Sequence, residues 1–280
     1  MRLRGDLLVV VMCFIFVLGG CGQTSNNAKD DTWDQIKEEG KLVVGTPGTL
    51  YPSSYYPENS DELTGYDVEI MKEVGNRLDL NVQFEELGFD EMFAALQSGR
   101  IDVAPAGLRG NTKKKFSYSK PYKYSYATMV VREDEVDDFT SLEDLDGKIA
   151  GGAATTVYSD IARKFGAEVK TYGNVTNDVY LRDVENGRTD VVINDYYLQM
   201  LALKALPDLD VTIQPDLKFY RSNQHAVIEK NADRLKEKIN GSLTDMKQDG
   251  TLTKLSEEFF AGEDVSEKPE ENIRTIEDID

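Results

Sequence analysis

The feature that most limits the possible folds is an alternation of strand-like and helix-like segments that runs through once and then starts again. Lys41 to Thr46 (KLVVGT) is an apolar run of strand length. Gly65 to Leu78 places Val68, Ile70, Met71, Val74 and Leu78 at helical spacing. Leu80 to Glu86 predicts a strand, Phe89 to Ser98 a helix and Ile101 to Ala104 a strand. The second series is strand Lys148 to Gly151, helix Thr155 to Phe165, strand Val169 to Tyr172, helix Asn177 to Asn186 and strand Asp190 to Ile193. Strands separated by helices pair in a mostly parallel sheet with helices on both faces. The expected class is α/β.

A short repeat ties the two series together. Leu96-Gln97-Ser98-Gly99-Arg100-Ile101-Asp102-Val103 recurs 88 residues later as Val184-Glu185-Asn186-Gly187-Arg188-Thr189-Asp190-Val191. In each copy glycine stands where a helix must end in a left-handed conformation, and a strand follows. Two related lobes are therefore expected. The later strands, Val211 to Ile213 and Ala226 to Ile228, and the helices Asn231 to Lys247 and Leu252 to Phe260 follow the second series. Their return to the first lobe gives residues 33–131 plus 223–264 for lobe 1 and 132–222 for lobe 2. The chain then crosses near Val131 and near Tyr220, a two-strand hinge that suits capture of a ligand by closure.

The ends lie apart from this pattern. Arg2 and Arg4 precede an uncharged run from Leu7 to Leu18, whose twelve residues fall short of the roughly 20 that span a bilayer. Residues 1–20 read as a signal peptide. Leu18-Gly19-Gly20-Cys21 resembles a bacterial lipobox, in which the cysteine thiol receives a diacylglycerol. An ordinary signal peptide or a buried Cys21 is the plainer alternative. Cleavage removes Cys13, so no thiol is left for a disulfide, a metal site or a nucleophile. Residues 21–32 read as a flexible tether, and 265–280 as an acidic, disordered tail with Pro269 and no core face. Removing twenty residues from 280 leaves 260, and the loss of Arg2, Arg4 and Asp6 moves the formal charge from −19 to −20. Such a surface repels nucleic acid and anionic lipid alike, although solubility alone also explains acidity.

In open α/β sheets a ligand lies beyond the carboxyl ends of the strands. Those ends carry Pro47 to Tyr56 with Tyr51 and Tyr55, then Pro105 to Arg109, then Gly152 to Thr156, then Asn194 and Asp195. Phe89 opens the second helix of the first series. The inventory offers aromatic walls, exposed backbone groups, paired hydroxyls and one carboxylate. Each member also has a plainer use: Thr155 as an N-cap, Asp195 as the cap of a helix from Tyr196, and the rings as core or surface. Lys113-Lys114-Lys115 reads as a solvated face.

From about Trp33 to Ser266 the chain resembles the extracellular solute-binding proteins, family 3, of polar amino-acid ABC importers. The likeness rests on motifs in order: Gly40-Lys41-Leu42-Val43-Val44-Gly45-Thr46, Leu63-Thr64-Gly65-Tyr66-Asp67-Val68-Glu69, the Gly99-Arg100-x-Asp102-Val103 stretch, Phe116-x-Tyr118-Ser119-x-Pro121-Tyr122, and Asp249-Gly250-Thr251-Leu252. Tyr51-Pro52-Ser53-Ser54-Tyr55 and Gly262-Glu263-Asp264-Val265-Ser266 look most like members that bind cystine and related sulfur-containing amino acids. The resemblance implies a type II periplasmic-binding-protein fold, a monomer, an amino-acid ligand, a membrane permease as partner, and no metal, cofactor or catalytic residue. It places the ligand ammonium on Asp195 and the carbonyl of Ala106. The carboxylate falls to an arginine, the backbone at Leu108 and the hydroxyl of Thr156, while Tyr51 and Phe89 cover the ligand. One departure stands out: the arginine position falls on Thr112, and Arg109 stands where a threonine is usual. Either Arg109 swings in, or the ligand lacks an ordinary α-carboxylate. Competing functions are a dehydratase-like enzyme on the same fold and a ligand-sensing module of a receptor. His225 is the lone histidine, and no nucleophile elbow occurs. The geometric expectation is a hinged cleft lined by Tyr51, Thr156 and Asp195.

Overall fold

The structure, a computed structural model, describes residues 31–107, 112–269 and 272–279. The expected signal peptide, Cys21, Leu108 and Arg109 lie outside the described residues. The first series unfolds as α1 (Thr32–Glu39), β1 (Lys41–Thr46), α2 (Tyr66–Arg77), β2 (Asn81–Glu86), α3 (Phe89–Gln97) and β3 (Val103–Gly107). After β4 (Phe116–Tyr118) comes β5 (Lys123–Arg132). The second series is β6 (Ile149–Gly152), α4 (Val157–Lys164), β7 (Glu168–Thr171), α5 (Asn177–Glu185), β8 (Val191–Asp195), α6 (Tyr196–Ala205) and β9 (Val211–Ile213). The chain ends its regular structure with β10 (Phe219–Glu229), α7 (Asp233–Gln248) and α8 (Thr251–Phe259).

The strands form one sheet in the order β2-β1-β3-β10-β5-β8-β6-β7, with β4 beside β10 and β9 beside β5. The trio β2-β1-β3 is parallel, and so is β8-β6-β7. In both trios the first strand of its series lies in the middle, which is the duplication seen in three dimensions. Between the trios run β10 and β5, antiparallel to each other and to their outer neighbours. β1 shows why the runs are apolar. Leu42 and Val44 face a cluster with Ile70, Val74, Ile239 and Phe260, while Val43 faces Met92, Leu96 and Ile101 on the other side. A strand covered by helices on both faces has no solvent side to vary. The second lobe repeats this, with Met129, Ile161 and Ile193 on one face and Val130, Leu181 and Val192 on the other.

The repeat glycines have a common task. Gly99 and Gly187 sit just beyond α3 and α5 with φ of 72° and 66°, where a side chain is disfavoured. Gly75 serves contact instead: a methyl there would lie 2.2 Å from Val82 Cγ2, so α2 can rest on β2 only without one.

Three expectations are corrected. The first crossing comes earlier than Val131, because Ala127, Met129 and Val131 already pack in the second-lobe core. The helix α1 takes in Thr32, the last residue of the expected tether, while its buried Trp33 and Ile36 fall in the expected lobe 1. The tail is not without a core face: Val265 and Ile273 are buried. Tyr124 donates its N–H to the Val265 carbonyl at 2.7 Å, and Tyr220 donates to that of Arg274 at 2.9 Å. The Arg274 guanidinium holds Glu143 through contacts of 2.7 and 3.1 Å. Ile276 and Ile279 also pack against the second-lobe core, so Ile273, Ile276 and Ile279 recur every three residues, a short apolar spacing that the acidic composition hid.

Candidate functional site

The trios point their carboxyl ends into a cleft of about 360 Å³ between the lobes. From lobe 1 come Thr46 and Ser54, whose hydroxyls bond each other at 2.5 Å, with Phe89 and Asp90 at the start of α3. The loop after β1 is set by capping. Its carbonyls at Pro52 and Ser53 accept the N–H groups of Tyr66 and Asp67 at 2.9 and 3.0 Å, so they satisfy the open start of α2. From lobe 2 come Gly152, Thr156, Asn194 and Asp195. Thr156, rather than Thr155, caps α4 by accepting the Ser159 N–H at 3.2 Å.

The lobes touch across the rim of the cleft. The Asp90 carboxylate accepts both the hydroxyl and the N–H of Thr155, the latter at 3.1 Å. Asn174 accepts from the Thr49 hydroxyl at 2.9 Å and donates to the Pro47 carbonyl at 2.9 Å. These contacts draw the two lobes together over the cleft.

At its floor lies a buried group of charges. Lys123, first residue of β5, donates from Nζ to Asp195 at 2.6 Å, and the two side chains are 8% and 12% exposed. The other oxygen of Asp195 accepts the Leu198 N–H at 3.1 Å and so caps α6. Asp67, in the first turn of α2, accepts from Tyr122 Oη at 2.9 Å and from Gln224 at 3.2 Å. Burial pushes its carboxyl up to about 6, against the downward pull of the Lys123 charge. Phe260 covers this floor from below, its ring centre 5.4 Å from Lys123 Nζ.

The raised value at Asp67 has a sign that can be tested. A carboxyl that binds its proton more tightly when folded contributes most below about pH 4, and that contribution is lost as pH rises through about 6. From an ordinary 3.8, the shift amounts to about 2–3 kcal/mol. In urea unfolding, Asp67→Asn is expected to gain that much relative to the unaltered chain between pH 4 and pH 7.5. A difference independent of pH, or growing toward acid, counts against the buried carboxylate.

Of the residues predicted for the site, Phe89, Thr156 and Asp195 line the cleft, and Thr155 closes its rim. Tyr51 and Tyr55 do not line it. Leu50 and Ser54 bridge each other, turning Ser54 inward and Tyr51 outward, where it is 40% exposed and meets Tyr55 edge to face at 4.8 Å. Ala106 is buried in β3 opposite His225, off the lining, although Pro105 and Gly107 reach it. The Thr112 hydroxyl bonds that of Tyr118, also off the lining. Asp67, Lys123, Asp90 and Asn174 belong to the site without having been predicted for it. Asp67 carried a signal, a carboxylate in the first turn of a helix; Lys123 carried none. Among the described residues no group of His, Cys, Asp and Glu could hold a metal ion.

Comparison with known proteins agrees with this architecture. Residues 42–262 match the family described as bacterial extracellular solute-binding proteins, family 3. The probable ABC transporter extracellular-binding protein YckB of Bacillus subtilis is 46% identical, over 99% of this chain and 98% of its own. The L-cystine-binding protein TcyA of Bacillus subtilis is 36% identical, over 93% and 98%. Among solved structures, an ancestral arginine-binding protein bound to glutamine superposes with a TM-score of 0.72 at 32% identity, covering 79% of this chain and 98% of that one. A fold of two lobes around a closed cleft, matched over most of its length, identifies the chain: it belongs to the bacterial extracellular solute-binding proteins, family 3.

Proposed function

We propose that the mature protein is a lipid-anchored receptor on the extracytoplasmic face of the cell membrane that captures a polar or sulfur-containing amino acid and delivers it, as a monomer, to an ABC permease. The observation that carries this reading is Asp195, a carboxylate at a second-lobe strand end inside a closed cleft of about 360 Å³, a volume suited to one small metabolite. Two of its hydrogen bonds are already made, and a carboxylate accepts about four, so it retains places for a ligand ammonium. In the same cleft Thr156 offers a hydroxyl and Phe89 an aromatic wall. The similarity to an L-cystine-binding protein supports a sulfur-containing ligand. Attachment through Cys21 rests on the lipobox-like Leu18-Gly19-Gly20-Cys21.

A thermal-shift screen over the amino acids, L-cystine and related sulfur compounds tests the ligand class, since a ligand at 100 times its Kd adds about 2.7 kcal/mol to folded-state stability. A clear rise with L-cystine or another polar amino acid is expected. A flat response across the panel overturns the reading. For the anchor, Cys21→Ala is expected to move the protein from the membrane fraction to the medium or leave the precursor uncut; continued processing and membrane retention overturn it.

A further inference from the structure

We infer that Lys123 sets the charge requirement of the cleft, admitting a head group that carries both an ammonium and a carboxylate and turning away a bare amine. This rests on the proposal that the cleft takes an amino acid. Lys123 is the sole cation among the described residues that line the cleft, whereas Asp67, Asp90, Glu91 and Asp195 supply carboxylates. A cleft so composed would at first sight favour any amine. The floor argues otherwise. Lys123 already neutralises Asp195 at 2.6 Å, with little solvent at hand to screen the pair. An amine entering beside Asp195 brings a second positive charge to a buried lysine, and nothing it carries offsets that repulsion. A zwitterion brings its own counter-charge: its ammonium approaches Asp195 while its carboxylate faces the Lys123 ammonium. The pair on the wall and the pair on the ligand then lie head to tail.

Two further observations agree. A lysine ammonium has three N–H donors, and Asp195 takes one; no other hydrogen bond to it exists among the described residues. Thr112, where the family resemblance implied a carboxylate-binding arginine, is turned to Tyr118 and stands off the lining. Lys123 is held in place by the Phe260 ring on one side and Asp195 on the other, so the charge is fixed without ligand.

Calorimetric titration of the unaltered protein and of Lys123→Met reads the assignment, using L-cystine against cystamine, the same disulfide without its carboxylates, and L-arginine against agmatine. The unaltered protein is expected to prefer the amino acid of at least one pair by about 30-fold or more, the size of a charged hydrogen bond. In Lys123→Met the preference should fall below about threefold, with the amine itself binding tighter because Asp195 is freed. Lys123→Arg should keep the preference. A ratio unchanged in Lys123→Met, or equal weakening of both partners, overturns the assignment and leaves the amino-acid reading intact. So does a preference lost in Arg109→Met and kept in Lys123→Met. Failure of the unaltered protein to bind either amino acid overturns both. Should Lys123→Met not fold, Lys123→Gln, which keeps a donor for Asp195 without the charge, carries the same test.

Discussion

Asp195→Ala is expected to lower the unfolding free energy by about 3–5 kcal/mol, because breaking a buried ion pair leaves its partner charge stranded. Asp195 has two structural duties in addition to the proposed ligand contact. Its Oδ2 compensates Lys123, and its Oδ1 caps α6 through the Leu198 N–H. Loss of the cap alone costs about 1 kcal/mol. The stranded lysine is the larger effect, eased in part by Asp67, whose charge acts on the same ammonium. Asp195→Asn keeps a capping oxygen and the volume, so it should lose less than the alanine variant. Urea unfolding of the two variants separates the charge from the cap. Equal stability of the alanine variant and the unaltered chain would show that Lys123 does not depend on Asp195.

Phe260→Ala is the second large effect, at about 3–5 kcal/mol, the usual cost of deleting a buried ring. Phe260 is fully buried where α8 ends and meets Tyr66 edge to face at 5.2 Å and Tyr197 at 5.9 Å. Tyr66 opens α2 in lobe 1, while Tyr197 belongs to α6, which starts from the Asp195 cap. The ring therefore joins the floor of the cleft to the core of the first lobe, and its face backs the Lys123 ammonium. Removing it opens a cavity beneath a buried charge. Chemical denaturation should show the loss, and Phe260→Leu should recover about half of it. A loss under about 1 kcal/mol would mean that the floor can collapse around the gap.

The sequence spoke clearly where one physical cause acted alone. β1 falls at the bounds that its apolar run predicts, since a strand covered on both faces has no polar alternation to blur its ends, and the short β9 also keeps its predicted bounds. The repeat glycines marked two helix ends because a positive φ leaves few other choices. β5 was not legible: KYSYATMVVR begins with a buried lysine and changes lobes midway, so neither face reads as a single pattern. The same holds for the site. Phe89, Thr156 and Asp195 follow from strand ends and helix starts, which local order fixes. Tyr51 did not follow, because the direction of a loop depends on the Leu50–Ser54 bridge and on carbonyls committed to α2. Asp67 and Lys123 meet only after β5, β10 and α2 pack, and lysine is seldom buried, so no local rule anticipates them. The charges that matter most to the cleft are those with the least sequence signature.

The central claim is that the closed cleft holds an amino acid by its head group against Asp195. A crystal structure of the protein grown with L-cystine tests it most directly. The ligand is expected between Phe89 and Thr156, with an ammonium nitrogen about 3 Å from the Asp195 carboxylate. A ligand bound elsewhere on the surface, or one whose ammonium avoids Asp195 inside the cleft, would contradict it.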